Sequence, residues 1–98
     1  MAWDDVYAIV RAIPPGKVLS YGDVTRRVER PLSPRAIGWA LADCPDDVPW
    51  QRVVRTDGSI ATDEKAGMRT GRQRRLLERE GVAFDAKGRV AMKAHRWE

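Results

Sequence analysis

Two short helical patterns joined by a turn, the second opened by a strong cap, are followed by an alternating stretch ending in Asp57-Gly58. Together they predict a mainly α domain with a small β component. The arrangement is that of a winged helix-turn-helix, because a hairpin placed after the two helices is a wing. The length of 98 residues suits one domain over residues 1–98, with no internal repeat, low-complexity segment or interdomain linker. A domain of this size buries only about two-thirds of its unfolded surface, so the core is expected to be helices packed on a small sheet or on each other. That leaves no room for a large enclosed cofactor cavity.

Trp3, Val6, Tyr7, Val10 and Ile13 follow helical spacing, Asp4 and Asp5 suit the positive end, and Pro14-Pro15-Gly16 stops the run. After a short connection through Lys17, Val18 and Leu19, Ser20 and Asp23 form an approximate capping box for a second helix, Tyr21 to Val28. Pro31 breaks it. Ser33-Pro34 then starts a third helix reaching about Asp43, since Ser caps and Pro at the first helical position loses no hydrogen bond. Ile37, Ala40 and Leu41 form its inner stripe, which leaves Arg35, Gly38, Trp39 and Ala42 free or on the flank. The helix-turn-helix thus covers about residues 20–43.

Arg52-Val53-Val54-Arg55 alternates, Asp57-Gly58 is a hairpin signal, and Ser59-Ile60-Ala61 is the expected return strand. These make a wing over about residues 52–66. Thr70 with Gln73 resembles a capping box for a helix through Leu76 and Leu77 that ends at Gly81. Val82 to Phe84 and Arg89 to Met92 suggest a closing hairpin around Asp85-Ala86-Lys87-Gly88.

Composition bounds the chemistry. Mean hydropathy is -0.51, and no apolar run approaches the roughly 20 residues that span a bilayer. The first residues, Met1 to Asp5, lack the pattern of a signal peptide. The expectation is a chain with no membrane partner, cytoplasmic and DNA-associated, or nuclear in a eukaryote. One cysteine, Cys44, and one histidine, His95, exclude an internal disulfide and leave too few ligands for structural zinc, so neither metal nor cofactor is expected. Lys and Arg number 18 against 14 acidic residues, for a net charge of +4. Residues 1–49 carry six basic and seven acidic groups and residues 50–98 twelve and seven, so the halves hold -1 and +5. Most of the cations are Arg, whose planar fork suits phosphates and base edges, which makes nucleic acid the leading partner class.

One ordered set of motifs is more specific than any of these patterns. Ile13-Pro14-Pro15-Gly16-Lys17-Val18-Leu19-Ser20-Tyr21-Gly22-Asp23-Val24, then Arg35-Ala36-Ile37-Gly38, then Pro49-Trp50-Gln51-Arg52-Val53-Val54 and Asp57-Gly58 resemble the C-terminal DNA-binding domain of O6-alkylguanine-DNA alkyltransferases. They resemble the alkyltransferase-like proteins more closely still, over about Val6 to Val82. The active enzymes carry Pro-Cys-His-Arg, so the resemblance places Trp50 where their alkyl-accepting cysteine stands and Gln51 where their relay histidine stands. Alignment on Leu76-Leu77 and Glu80-Gly81 puts the relay glutamate at Arg74. Alkyl transfer needs a thiolate and a base to take its proton, so with all three replaced the chain is not expected to be an enzyme.

The resemblance implies that Tyr21 crowds the phosphate of the target nucleotide and Arg35 fills the vacated base stack, which gives both a base-flipping role. Extrusion costs a few kcal/mol of stacking and pairing, least for a damaged pair, and an Arg plane replaces lost stacking. Arg35 sits where a cation opposes the helix macrodipole, a poor choice for stability alone. Ser33, Ala36 and Gly38 are small and would let the helix backbone approach DNA, in the minor groove by the resemblance. For Trp39, groove contact and core packing stand equal. Trp50 would wall the lesion pocket, Val53 would offer its carbonyl to the guanine amino group, and Ile60, Ala61, Thr62 and Asp63 would form the lid. Some relatives place an Arg in this lid. Here Asp63 takes its position, with Lys65 or Arg69 as substitutes.

Arg72, Arg75 and Arg79 recur at helical spacing as a solvated basic face, or alternatively as a second DNA or partner surface. Cys44 is expected to pack at a hinge, His95 to lie at the surface and Trp97 to anchor the tail. The expected function is lesion sensing: a monomer that binds O6-alkylguanine in double-stranded DNA, flips it and marks it for nucleotide excision repair proteins. Two rivals stand beside it. A winged-helix transcription regulator would be sequence-specific and usually dimeric, and a residual transferase would use Cys44.

Overall fold

The computed structural model describes residues 3–60 and 71–98. Helix α1 (Asp4–Ala12) turns Val6, Tyr7 and Val10 inward, and the Tyr7 hydroxyl donates to the Ala40 carbonyl at 2.9 Å. Strand β1 (Leu19–Ser20) leads directly into α2 (Tyr21–Arg27). The capping box expected there is present: the Asp23 amide donates to Ser20 Oγ and the Ser20 amide to Asp23 Oδ2, both at 3.0 Å. Helix α3 (Pro34–Ala42) begins with Pro34 behind the Ser33 cap, whose Oγ accepts the Ala36 amide at 3.2 Å. Helices α2 and α3 pack on each other as the helix-turn-helix.

The sheet departs from expectation. A 3-10 turn (Trp50–Arg52) runs into β2 (Val53–Val54), and β2 pairs in parallel with β1, Leu19 opposite Val53 and Ser20 opposite Val54. The segment read as a mere connection is therefore the partner strand, and α2 and α3 form the crossover that a parallel pair requires. The hairpin turn does form. Arg55 donates to the Ser59 carbonyl at 3.0 Å and Gly58 to the Arg55 carbonyl at 2.8 Å, but the return strand is reduced to this rung among the described residues. The tip is captured elsewhere: Val90 donates to the Gly58 carbonyl at 2.9 Å. A Cβ on Gly58, whose φ is +88°, would stand 2.5 Å from the Val90 oxygen, so this close approach requires glycine.

The strand pair divides the core by its period-two alternation. Leu19 and Val53 face the cluster of α1, α2 and α3, with Val6, Val10, Val24 and Ile37, while Val18 and Val54 face Leu77, Val82 and Val90. Both faces are covered, which is why Val53 and Val54 are both fully buried.

Helix α4 (Arg72–Arg79) follows Gly71, a left-handed N-cap with φ 76°, so the Thr70 and Gln73 capping box is not the device used. Thr70 lies outside the described residues, and Gln73 turns into the core at 1% exposure. The closing hairpin is one bridge, Phe84 with Val90, because Asp85 bonds the Lys87 and Arg89 amides and the chain then coils into α5 (Met92–His95). His95 is half-buried rather than a surface residue. Its Nε2 accepts the Ala83 amide at 3.0 Å and its Nδ1 donates to the Gly16 carbonyl at 2.9 Å, which assigns the neutral tautomer with its proton on Nδ1. Trp97 anchors the last residues: its amide donates to the Val18 carbonyl at 2.8 Å, and the Arg27 guanidinium lies 4.7 Å from its ring. Among the described residues no helix is long and apolar enough to cross a membrane.

Candidate nucleic-acid interface and base pocket

The parallel register assembles the site. Tyr21 follows β1 directly and Arg55 follows β2 directly, so pairing the strands sets the two side chains near each other. Burial raises the Tyr21 phenol above its ordinary 10.0, and the Arg55 charge works in the opposite direction. At the other end of β2 the 3-10 turn presents Trp50, partly buried against the main core cluster.

Trp50 lines a cavity of about 290 Å³ with Leu41, Cys44, Pro45, Asp46 and Arg72. The Arg72 guanidinium stands 5.9 Å from the Trp50 ring centroid, within cation–π reach. Cys44 thus belongs to the cavity wall as well as to the end of α3. No imidazole is free to activate it, since both ring nitrogens of His95 are engaged with Ala83 and Gly16.

Behind Trp50, the residue that meets Gln51 is Glu80 and not Arg74, the position the sequence alignment pointed to. Gln51, only 9% exposed, donates from Nε2 to Glu80 Oε2 at 3.0 Å. Arg52 holds the same carboxylate as a fork, Nε to Oε1 at 3.0 Å and Nη2 to Oε2 at 2.7 Å, and its Nη1 reaches the Ile13 carbonyl at 2.8 Å. Arg74 instead pairs with Glu78 at 3.3 Å and lies over Phe84 at 4.7 Å. The carboxylate beside position 51 is therefore Glu80. Glu80 enters the sequence alignment only as a landmark, yet a Glu ahead of the helix-ending Gly81 was the available signal.

Sequence reasoning also missed Gln73 as a site residue. Its Nε2 donates to the carbonyls of Gln51 and Val53, both at 3.0 Å, and so ties down the backbone on either side of Arg52. One acceptor position of the Val53 carbonyl, expected to meet a guanine amino group, is already used by this amide.

On α3 the outer face carries Arg35, Gly38, Trp39 and Ala42, while Ala36, Ile37, Ala40 and Leu41 are buried. Arg35, the second residue of the helix, is exposed and makes no hydrogen bond or ion pair among the described residues. Trp39, for which two placements stood open, is 62% exposed. A Cβ on Gly38 would meet nothing within 4 Å, so internal packing does not demand glycine there. Ala36 departs from its expected place: it is 8% exposed, facing the core, and its amide is held by Ser33 Oγ, so neither is open to DNA. Ser33 is itself exposed but serves as the cap. Ile60 is buried, and the remaining lid residues Ala61, Thr62 and Asp63, with Lys65 and Arg69, lie outside the described residues.

Comparison with known proteins accords with this geometry. Residues 2–82 match the family described as 6-O-methylguanine DNA methyltransferase, DNA binding domain. A DNA base-flipping protein of Vibrio parahaemolyticus is 32% identical over 95 residues, covering 95% of this chain and 92% of that protein. Alkyltransferase-like protein 1 of Schizosaccharomyces pombe is 41% identical over 80 residues, covering 79% of this chain and 72% of that protein. The crystal structure of S. pombe Atl1 with damaged DNA containing O6-carboxymethylguanine superposes with a TM-score of 0.82 at 31% identity, over 98% of this chain and 94% of that one. A family match over most of the chain, with these likenesses, shows that the chain belongs to the family of the 6-O-methylguanine DNA methyltransferase DNA-binding domain, alongside its base-flipping and alkyltransferase-like relatives.

Proposed function

We propose that this protein is a non-enzymatic sensor that binds O6-alkylguanine in duplex DNA, rotates the base into the Trp50 cavity and holds the lesion without repairing it. The observation that carries the reading is Trp50 on the cavity wall, at the position that the motif resemblance matches to the nucleophile of the active enzymes. Indole offers a flat surface for stacking and no thiolate for transfer. Tyr21 crowds the target phosphate, Arg35 enters the stack from the open face of α3, and the DNA bends around the insertion. The protein acts as a monomer. Because it leaves the alkyl group in place, nucleotide excision repair proteins are the partners that act on the marked site.

The decisive experiment is fluorescence anisotropy with two labelled duplexes, identical except for one O6-methylguanine in place of guanine, at two salt concentrations. The alkylated duplex should bind at least about tenfold tighter, equivalent to about 1.4 kcal/mol, and be recovered still methylated. Equal binding to both, falling steeply with salt, would end the pocket reading and favour a sequence-specific regulator. Methyl transfer to protein, absent in Cys44→Ser, would instead establish the Cys44 thiol in the cavity as a nucleophile.

Arg35→Ala should lower affinity for the alkylated duplex by about tenfold or more while circular dichroism stays unchanged, since loss of a replaced stack is worth about 1–3 kcal/mol. Unchanged binding would remove Arg35 from the mechanism.

A further inference from the structure

We propose that Arg72 makes the Trp50 cavity selective for O6-alkyl adducts that end in an anionic group, a carboxylate above all. This rests on the lesion-pocket reading and deepens it. Leu41, Ala42, Cys44 and Pro45 contribute to the cavity wall, but most of its lining surface is polar, and the charged groups lining it among the described residues are Arg72 and Asp46. A methyl group carries no charge and needs no counter-ion there. A carboxylate needs a cation or donor in place of the hydration it loses on entry, and Asp46 on the same wall supplies only a like charge.

Arg72 is placed to replace it. Its guanidinium lies 5.9 Å from the Trp50 ring centroid, on the surface proposed to receive the base. Among the described residues the guanidinium has no hydrogen-bond acceptor and no ion-pair partner, unlike Arg74 with Glu78 or Arg52 with Glu80. Its fork is therefore available for a bidentate carboxylate, the arrangement in which Arg binds most strongly.

Arg72 is also the first residue of α4, where a cation opposes the helix macrodipole. Helix stability does not account for it. Asp46, on the same cavity, is the opposing charge and limits the preference.

The test uses the full chain and three duplexes that differ at one position: guanine, O6-methylguanine or O6-carboxymethylguanine. Anisotropy is read for the wild type, Arg72→Gln, Arg72→Lys and Asp46→Asn at two salt concentrations. Arg72→Gln should lose about tenfold or more on the carboxymethyl duplex and less than about threefold on the methyl duplex, with Arg72→Lys between, because a point charge lacks the bidentate fork. Asp46→Asn should shift the ratio further toward the carboxymethyl duplex.

An equal loss on all three duplexes, with a shallower salt dependence, would make Arg72 a phosphate contact and overturn the proposal. An unchanged ratio in every variant would overturn it too. If the wild type binds all three duplexes alike, the lesion-pocket reading falls and the proposal with it. That result is distinct from failure at Arg72 alone, where the wild type still prefers alkylated DNA.

Discussion

Trp50→Cys combined with Gln51→His is expected to transfer a methyl group from O6-methylguanine in duplex DNA about 100-fold or more faster than Trp50→Cys alone. A cysteine by itself is only a few per cent thiolate near pH 7, and the Gln51 amide beside it cannot accept a proton. Gln51 Nε2 now donates to Glu80 Oε2 at 3.0 Å. An imidazole at position 51 can use one nitrogen for that carboxylate and turn the other toward the new thiol, so each relay role is filled. The carboxylate is in place and oriented, since Arg52 holds both its oxygens. The measurement is single-turnover transfer of labelled methyl from DNA to protein. Adding Arg74→Glu to the single variant should yield nothing, because Arg74 is directed to Glu78 and Phe84. A double variant no faster than the single one would sink the assignment of Glu80.

Asp23→Asn is expected to destabilise the fold by about 2–3 kcal/mol at pH 7, the range for a lost cap plus hydrogen bonds to a charged group. Asp23 is 5% exposed, and its carboxylate accepts the Ser20 amide and Arg96 Nε, each at 3.0 Å, and also bonds Arg26. Burial acts to raise its pKa. The bonds from Arg96, Ser20 and Arg26 together outweigh burial and hold the carboxyl well below its ordinary 3.8. A carboxyl depressed in the folded state stabilises the protein fully above its unfolded value and less as pH falls toward the folded one. The gap between wild type and Asp23→Asn should therefore be constant from pH 6 to 8 and about 1 kcal/mol smaller at pH 3, read from urea denaturation. A gap that widens on acidification would show the sign to be wrong. Arg26 and Arg96 keep much of their surface in water, at 67% and 55% side-chain exposure, so the penalty stays below that of a fully buried pair. The effect reaches the site, because the capping box at Ser20 sets the start of α2 and hence the position of Tyr21.

The helices were legible because their signals are local. Ser20 with Asp23 and Ser33 with Pro34 satisfy amides within one turn, and both devices appear where the residues indicate. The inner stripe of α3 was legible for the same reason, since helical spacing separates Arg35 and Gly38 from Ile37, Ala40 and Leu41, but the exposure of Trp39 and the burial of Ala36 needed the fold. The strands were not. β1 is two residues long, too short to display a period, and its partner lies across two helices.

The motif 49–54 and the family likeness were written in the sequence, because the identities of Trp50 and Gln51 are chemical facts that need no fold. Which carboxylate meets Gln51 needed one. Arg74 and Glu80 lie on the same short segment, and side-chain direction at the end of α4, not distance along the chain, puts Glu80 against Arg52 and sends Arg74 to Phe84. Gln73 and Arg72 follow the same logic: adjacent residues on one helix point apart, one into the core to bind two carbonyls, the other to the Trp50 ring. The sequence alone thus determined helices α1 to α4, the caps of α2 and α3, and the absence of a thiol at the motif. Tertiary structure decided the parallel strand pair, the Glu80 partnership and the charged rim of the cavity, because each depends on contacts between segments that no local pattern encodes.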